Sequence, residues 1–331
     1  MVGTKPSVSA LWIGKALSPY EHLCLSSFVR AGYEVQVFTY DPDLDVPEGA
    51  RRCDAREVLP ESSVFENHQQ RGTFAAFSNI FRYRLLQLQD TTWIDTDVML
   101  VGDALPAGAY LFGYEDPEHV NSAILRAPRS SPFLAYLFDT SAAVDPSELT
   151  WGQIGPELVT DAVTRFDLHR LVQPAEVLYP LHYEEVGMLF DPSQFAAVQE
   201  RLQNASTLHL WNEIMRRGGP VKQVRPPQGS WLAHAFDSYA LDFGSRFEHE
   251  VDWVLGAVAL DKISPEAAIQ DRDAAVQDRD AAIQDRDAAI QERDTAIQDR
   301  DVAIQARDAA MAPRHSWARR FGLLRQIGKK P

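Results

Sequence analysis

The sequence has few cysteines and no long run of apolar residues. Cys24 and Cys53 are the only cysteines in 331 residues, which excludes a disulfide framework and a cysteine-rich zinc site. No stretch reaches the ~18 uninterrupted apolar residues of a membrane span, and the N-terminus lacks the apolar segment of a signal peptide. We therefore expect a soluble or peripheral protein, and two thiols suit a reducing cytosol.

Basic residues are scarce relative to acidic ones. The chain has 32 Lys and Arg against 47 Asp and Glu, which gives a formal net charge of −15. An acidic surface repels phosphate backbones, so nucleic-acid binding is not expected as the main activity. The 45% of hydrophobic and 24% of charged residues are ordinary for globular proteins, and the length allows one large domain or two small ones.

The composition divides the chain into three segments. Residues 1–262 have a mixed composition, residues 263–311 contain a seven-residue repeat that begins at 266, and residues 312–331 form a basic tail. The repeat has one large apolar residue per seven, whereas a strict coiled coil has two. Two interpretations stay open for residues 266–311: a solvated helical spacer, or a weak coiled coil that forms homo-oligomers.

The tail combines basic with bulky apolar side chains and has no acidic residue. Its basic residues are Arg314, Arg319, Arg320, Arg325, Lys329 and Lys330, and they alternate with Trp317, Phe321, Leu323, Leu324 and Ile327. This combination is typical of a helix that lies on an anionic membrane surface. The alternative for residues 314–331 is a frayed, solvated basic end.

Within the first segment, strand and helix patterns alternate. Strands are predicted over 8–13, 34–38, 92–100, 110–114 and 122–125, and helices over about 19–31 and 74–89. Gly32 is the predicted C-terminal stop of the first helix. A β-α-β start of this kind indicates a parallel sheet and an α/β fold.

Two carboxylates two residues apart, Asp95 and Asp97, lie where an apolar strand ends. In open α/β sheets, ligands bind outside the carboxyl ends of the strands. Paired carboxylates there can hold a hard divalent cation, which neutralises charge on a diphosphate leaving group. Phosphatases of the haloacid type also place such a pair after a strand, but their pattern continues with a Thr where this sequence has Val98.

The preceding helix carries Asn79 and Arg82, three residues apart and hence on one face. Both side chains offer directional hydrogen bonds. Arg82 can reach a phosphate or sugar oxygen, and the alternative is a salt bridge to a nearby acid. A further polar group, His182, Glu184 and Glu185, has no assignment from the sequence.

In combination these motifs resemble the DXD-containing glycosyltransferases, a family that includes alpha-1,4-galactosyltransferases, initiating mannosyltransferases, capsule sugar transferases and the glucosylating domains of clostridial toxins. The resemblance spans about residues 9–215. The motifs that carry it are Trp12-Ile13-Gly14, Phe-Ser-Asn-x-Phe-Arg-Tyr at 77–83, Trp-Ile-Asp-Thr-Asp at 93–97, Trp151-Gly152-Gln153-Ile154-Gly155-Pro156 with Thr160, and His209-Leu210-Trp211-Asn212.

The resemblance implies an α/β fold of the GT-A type for residues 1–262, with a Rossmann-like nucleotide-sugar half and a mixed sheet, followed by the long heptad-repeat helix. It implies that Trp12 lies beside the nucleobase and that Arg82 binds donor-sugar hydroxyls or phosphate. It also implies that Asp97 is a metal ligand and that Asp95 contacts the metal, the ribose or the sugar. His209 is a candidate to complete the shell around Mn²⁺ or Mg²⁺ or to contact the diphosphate, and the alternative is a structural histidine beside Leu210 and Trp211.

Three further residues follow the predicted strand at 110–114 and are candidates for the acceptor side: Glu115, Asp116 and Asn121. The alternative is that they are ordinary polar residues of a surface loop. Two positions depart from the family pattern. Asn79 stands where the family has an acid, so an uncharged amide meets the donor sugar. Residues 90–92, Asp-Thr-Thr, replace the Gly-Gly that often precedes the DXD strand.

The implied activity is that of a metal-dependent hexosyltransferase in bacterial surface polysaccharide biosynthesis. It would move a hexose from a nucleotide sugar, with a UDP-sugar favoured, to a hydroxyl of a glycan or lipid-linked glycan, with retention of configuration. The two thiols indicate a cytoplasmic location, and the basic tail offers, as one of its two interpretations, peripheral association with the inner face of the plasma membrane. The alternatives are an inactive family member that acts as a membrane-associated scaffold and, less favoured, a DXD phosphohydrolase.

Overall fold

The computed structural model describes residues 6–66, 73–150, 152–217, 220–223 and 225–241. The predicted heptad repeat and basic tail, residues 263–331, lie outside the described residues. No helix within the described ranges is long and apolar enough to cross a membrane.

Eight strands and eight α-helices are described. The strands are β1 (Ser7–Trp12), β2 (Glu34–Thr39), β3 (Arg51–Asp54), β4 (Thr92–Ile94), β5 (Val98–Leu100), β6 (Leu111–Tyr114), β7 (Val120–Arg126) and β8 (Thr207–His209). The helices are α1 (Pro19–Arg30), α2 (Ala75–Leu88), α3 (Pro132–Ala142), α4 (Pro156–Arg165), α5 (Ala175–Leu178), α6 (Phe195–Leu202), α7 (Asn212–Arg217) and α8 (Trp231–Ser238). Short 3-10 turns cover Ala55–Glu57, Glu61–Ser63, His169–Leu171, Tyr183–Leu189, Pro192–Gln194 and Pro220–Gln223.

The central sheet has six strands in the order β3-β2-β1-β4-β7-β6. The β-α-β prediction is confirmed, since β1, β2, β3 and β4 pair in parallel. β7 runs antiparallel to both β4 and β6, so the sheet is mixed. A separate antiparallel pair, β5 with β8, lies beyond β4 in the chain.

Local sequence explains why α1 forms where it does. Ser18 caps the helix in a reciprocal capping box with Glu21, and Pro19 occupies the first helical position. Gly32 has a φ of +87°, a left-handed conformation that favours glycine, and its N–H donates to the Val29 carbonyl. The predicted stop at Gly32 is therefore confirmed.

The core lies on both faces of the central sheet. Side chains of α2 pack on β4 through aromatic contacts, with the Phe81 and Trp93 ring centroids 6.2 Å apart. On α1, Leu23 and Phe28 are fully buried, as the predicted apolar face requires. Cys24 and Cys53 are both buried, and neither forms a disulfide bond.

Candidate active site

The predicted strand at 92–100 is interrupted by the two acids. β4 ends at Ile94, and β5 begins at Val98. The Val98 N–H donates to the Asp95 carbonyl over 3.1 Å, which closes a turn, and the Asp95 N–H donates to the Ala123 carbonyl of β7 over 2.8 Å. Because β4 belongs to the central sheet and β5 pairs with β8, this turn places both carboxylates where the two sheets meet.

Asp97 is held by the segment that follows β8. Its Oδ2 lies 3.2 Å from His209 Nε2 and accepts the backbone N–H of Asn212 over 2.7 Å. Both Asp97 and His209 are buried. Burial alone would raise the pKa of Asp97, but the charge and hydrogen bond of His209, the Asn212 N–H and the charge of Lys222 lower it to about 2.

The contact between Asp97 and His209 also shifts the pKa of His209. Burial lowers the pKa of His209, but the charge of Asp97 and its hydrogen bond outweigh that effect, so the pKa of His209 is raised. His209 also contacts the ring of Trp211, with centroids 4.1 Å apart. Among the described residues, its buried Nδ1 has no hydrogen-bond partner.

Asp95 is held from the other side, by α2. Its Oδ1 lies 3.0 Å from Arg82 Nη2 and accepts the indole N–H of Trp93 over 2.7 Å. Burial, with the charge of Asp97 adding to it, raises the pKa of Asp95, and the Arg82 charge opposes the rise. The salt bridge that the sequence offered as the alternative role of Arg82 is therefore present.

Asp95, Asp97 and His209 each offer one ligand atom, and these atoms lie within 4.8 Å of one another. Two carboxylates suit Mg²⁺ or Mn²⁺, and an imidazole is a common further ligand of transition metals. Buried polar atoms normally have a partner. His209 Nδ1 has none among the described side chains, as expected where an ion or ligand binds. These three residues therefore fit a divalent cation.

A cavity of about 1020 Å³ surrounds the two carboxylates. Residues from β1, α2, the β6–β7 hairpin and the β8–α7 turn line it. All but one of the residues predicted from sequence are brought together there: Trp12, Asn79, Arg82, Asp95, Asp97, Glu115, Asn121 and His209. Asp116 does not line this cavity, because its carboxylate caps its own hairpin, 2.9 Å from His119 Nδ1 and bonded to the N–H groups of Glu118 and His119.

Glu115 and Asn121 form one unit on the hairpin side of the cavity. The Asn121 amide donates to the Glu115 carboxylate, and its carbonyl oxygen accepts the Ala123 N–H over 2.6 Å. Burial raises the pKa of Glu115, while the Asn121 hydrogen bond opposes the rise. The backbone of β7 therefore fixes the orientation of Asn121, which in turn orients Glu115.

Asn79 and Arg82 share one helix face, as their spacing predicts. Asn79 Oδ1 accepts the Ser122 hydroxyl over 3.3 Å, and the Arg82 guanidinium donates to the Ser122 carbonyl. A Cβ on Gly155 would lie 3.0 Å from Asn79 Nδ2, so glycine permits the loop before α4 to approach this amide closely. The Thr160 hydroxyl accepts the backbone N–H of Val120 in β7. Trp151, which belongs to the same motif, lies outside the described residues.

Sequence reasoning missed a cluster beside Asp97. Glu21 of α1 is fully buried and accepts the Asn212 side-chain amide over 2.9 Å, and it forms an ion pair with Lys222. Lys222 also lies 5.6 Å from the ring of Trp12. In the sequence, the only signal for Glu21 is its capping box with Ser18, which accounts for Glu21 as a helix cap. Nothing in the sequence links it to Lys222.

Residues 145–239 match the family model described as "Alpha 1,4-glycosyltransferase conserved region". Among solved structures, the PaToxG glycosyltransferase is 16% identical with a TM-score of 0.36, over 49% of this chain and 68% of that one. The apo structure of the bifunctional glycosyltransferase WbbM is 12% identical with a TM-score of 0.29, over 63% of this chain and 46% of that one. A search of curated proteins finds no match.

The region that matches the family model contains β8 and the start of α7, and hence His209 and Asn212, which hold Asp97. The matched sequence and the DXD carboxylates therefore meet in one cavity. Residues 145–239 of the chain are therefore similar to the alpha 1,4-glycosyltransferase conserved region, and this similarity supports a glycosyltransferase.

Proposed function

We propose that the protein is a metal-dependent hexosyltransferase that takes its sugar from a nucleoside-diphosphate donor, with a UDP-sugar favoured, and transfers it to a hydroxyl of a glycan. The observation that carries the proposal is the group of Asp95, Asp97 and His209, whose ligand atoms lie within 4.8 Å of one another in a cavity of about 1020 Å³. A cavity of this size accommodates a nucleotide sugar and part of an acceptor.

The donor half of the cavity is assigned to α2 and β1. Arg82 is fixed by Asp95 and the Ser122 carbonyl, so its guanidinium is positioned before any ligand arrives. Asn79 lies one helical turn away and presents an amide to sugar hydroxyls. Trp12 borders the cavity beside Lys222, and we assign the nucleobase to this part.

Asp97 and His209, with Asp95, are the residues that would hold Mn²⁺ or Mg²⁺. When bound, the cation neutralises charge on the departing diphosphate. Asp97 is suited to this role because its pKa of about 2 keeps it ionised at neutral pH. Metal binding would take the place of the proton on His209.

The acceptor side is assigned to the Glu115–Asn121 unit. Its two side chains line the cavity on the hairpin side, where Glu115 can accept a hydrogen bond from an incoming hydroxyl. We further propose that the configuration of the sugar is retained, with attack on the face from which the phosphate leaves and with a phosphate oxygen taking the acceptor's proton. The acceptor is placed among surface polysaccharides, as the family resemblance implies.

The test is nucleotide release from a panel of UDP- and GDP-sugars, with Mn²⁺ or with EDTA. Wild-type protein should release nucleotide from one donor only when metal is present. Asp97→Asn keeps the shape of the side chain but removes its charge, and should lower the rate by about 100-fold or more. Asp103→Asn, at an exposed position after β5, is the matched control and should leave the rate unchanged.

Release that is equally fast in EDTA, or in Asp97→Asn, would contradict the site assignment. If wild-type protein neither releases nucleotide nor binds UDP or GDP, the transferase proposal fails, and the inactive scaffold takes its place.

A further inference from the structure

We propose that Tyr183 and Trp211 form an aromatic platform that binds a pyranose ring of the acceptor by stacking. This inference rests on the proposed function, because it assigns the acceptor's sugar ring to a part of the same cavity. Both residues line the cavity. Tyr183 belongs to the same segment as His182, Glu184 and Glu185, the polar group that has no assignment from the sequence.

Exposure singles out Tyr183. It is 36% exposed and, with Leu171, is one of two exposed large hydrophobic side chains among the described residues. Its ring lies 5.9 Å from that of Trp211 at an interplanar angle of 75°, so the two rings form a corner rather than a stack. An apolar corner that lines a cavity suits the C–H face of a sugar, as aromatic side chains in ligand pockets generally do.

The conformation of Trp211 is unusual and closely determined. Its φ of +51° is a left-handed conformation that a non-glycine residue rarely adopts. The indole N–H donates to the Leu181 carbonyl over 2.9 Å, and the flanking N–H groups of Leu210 and Asn212 both donate to Asp97. Strained residues that the surroundings over-determine cluster at binding sites.

The segment that carries Tyr183 is also fixed before any ligand binds. The Glu185 carboxylate accepts the backbone N–H of His182 over 3.0 Å and forms an ion pair with Arg201 over 2.9 Å. Arg201 in turn donates to the Pro180 carbonyl over 2.7 Å. Such preorganisation reduces the entropy lost when a ligand is bound.

Position favours an acceptor sugar on the platform. The Trp211 ring is 4.1 Å from the His209 ring, and His209 Nε2 is 3.2 Å from Asp97, so a sugar on the platform lies next to the site of transfer. The exposed carboxylate of Glu184, adjacent to Tyr183 in the chain, lies 3.8 Å from His182 Nδ1 and can accept hydrogen bonds from sugar hydroxyls.

The test uses three probes, methyl β-D-glucoside, methyl β-D-galactoside and methyl α-D-mannoside, with saturation-transfer NMR to measure binding to the full chain. UDP and GDP binding is measured on the same samples. The variants are Tyr183→Ala, Tyr183→Phe and Leu171→Ala. The last is the matched control, because Leu171 is exposed but does not line the cavity.

We expect wild-type protein to bind at least one glycoside, with the strongest saturation on ring C–H protons. Tyr183→Ala should weaken that binding by about tenfold, whereas Tyr183→Phe and Leu171→Ala should change it by less than about twofold. Nucleotide binding should be equal in all four proteins. Because Tyr183→Phe keeps the ring, it separates lost stacking from a lost hydroxyl, and unchanged nucleotide binding shows that each variant is folded.

Three results would overturn the platform. Two concern the glycosides: no binding to wild-type protein, or equal binding in wild-type protein and Tyr183→Ala. The third is a loss of UDP or GDP binding in Tyr183→Ala but not in Tyr183→Phe, which would show that the ring contacts the nucleobase. Glycoside binding that depends on Tyr183, in a protein that binds neither nucleotide, would support the platform and contradict the proposed transferase.

Discussion

Asp97 and Asn212 are 115 residues apart in the chain, yet the backbone N–H of Asn212 donates a 2.7 Å hydrogen bond to Asp97 Oδ2. The Asp97 carbonyl in turn accepts the N–H of Leu210 over 2.9 Å. Both bonds come from the turn between β8 and α7, within the region that matches the family model. The carboxylate is therefore in place only when this turn has docked against the DXD turn.

The hydroxyl of Thr160 has a structural role that a stability measurement can isolate. It accepts the Val120 N–H over 2.8 Å and donates to the Pro156 carbonyl over 2.7 Å, which ties α4 to β7. Thr160→Val removes the acceptor and should lower the free energy of unfolding by about 1–3 kcal/mol. Thr160→Ser keeps the hydroxyl and is the control. A Val variant as stable as the Ser variant in urea would refute this role.

The buried Glu21–Lys222 pair should be strongly coupled. Glu21 is fully buried and also accepts the Ser18 N–H over 2.8 Å, so Glu21→Gln leaves the Lys222 charge unpartnered in a partly buried site. The expected loss is about 3 kcal/mol of unfolding free energy. Adding Lys222→Met should recover part of that loss. Strictly additive effects in the double-mutant cycle would show that the two side chains are not coupled.

The Asp116–His119 pair gives stability that depends on pH. The hydrogen bond that the His119 imidazole donates to the Asp116 carboxylate raises the pKa of His119. Burial alone would raise the pKa of Asp116, but its hydrogen bonds with His119 and with two backbone N–H groups lower it. The contribution of His119 is fully present below its unfolded pKa of about 6.5, and that of Asp116 above about 3.9. Between these values the pair stabilises the fold, and it weakens as pH rises through the folded pKa of His119.

An NMR titration of the His119 imidazole measures this directly. Wild-type protein should titrate above about pH 6.5, and Asp116→Asn should bring the midpoint back towards that value. The stability difference between the two proteins should be larger at about pH 5.5 than at about pH 8. A midpoint that Asp116→Asn leaves in place would show that the pair does not set the pKa.

Local patterns in the sequence were enough to predict the first β-α-β unit. The stop at Gly32 and the alternation of apolar runs are short-range signals, and they placed β1, α1 and β2 nearly to the residue. The run at 92–100 looks like one strand, because its apolar residues are continuous apart from Asp95 and Asp97. Its division between two sheets depends on β8, more than 100 residues later, which no local pattern reveals.

The candidate site was predictable where a motif marks it and not elsewhere. The DXD spacing indicated Asp95 and Asp97, and the resemblance added His209. Glu21 and Lys222 were missed because their partnership spans 201 residues and neither belongs to a recognised pattern. Asp116 is of a residue type that is common in functional sites, but its carboxylate accepts N–H groups of its own hairpin. The geometry of the turn, and not the residue type, determines this role.

Mn²⁺ binding, measured by electron paramagnetic resonance of the free ion with and without UDP or GDP, tests the proposed metal site directly. We expect wild-type protein to bind Mn²⁺ more tightly when one of these nucleotides is present, since the diphosphate supplies further oxygen ligands. Asp97→Asn should weaken that binding by about tenfold or more. Equal Mn²⁺ binding in wild-type protein and Asp97→Asn would contradict the assignment of Asp97 to the metal.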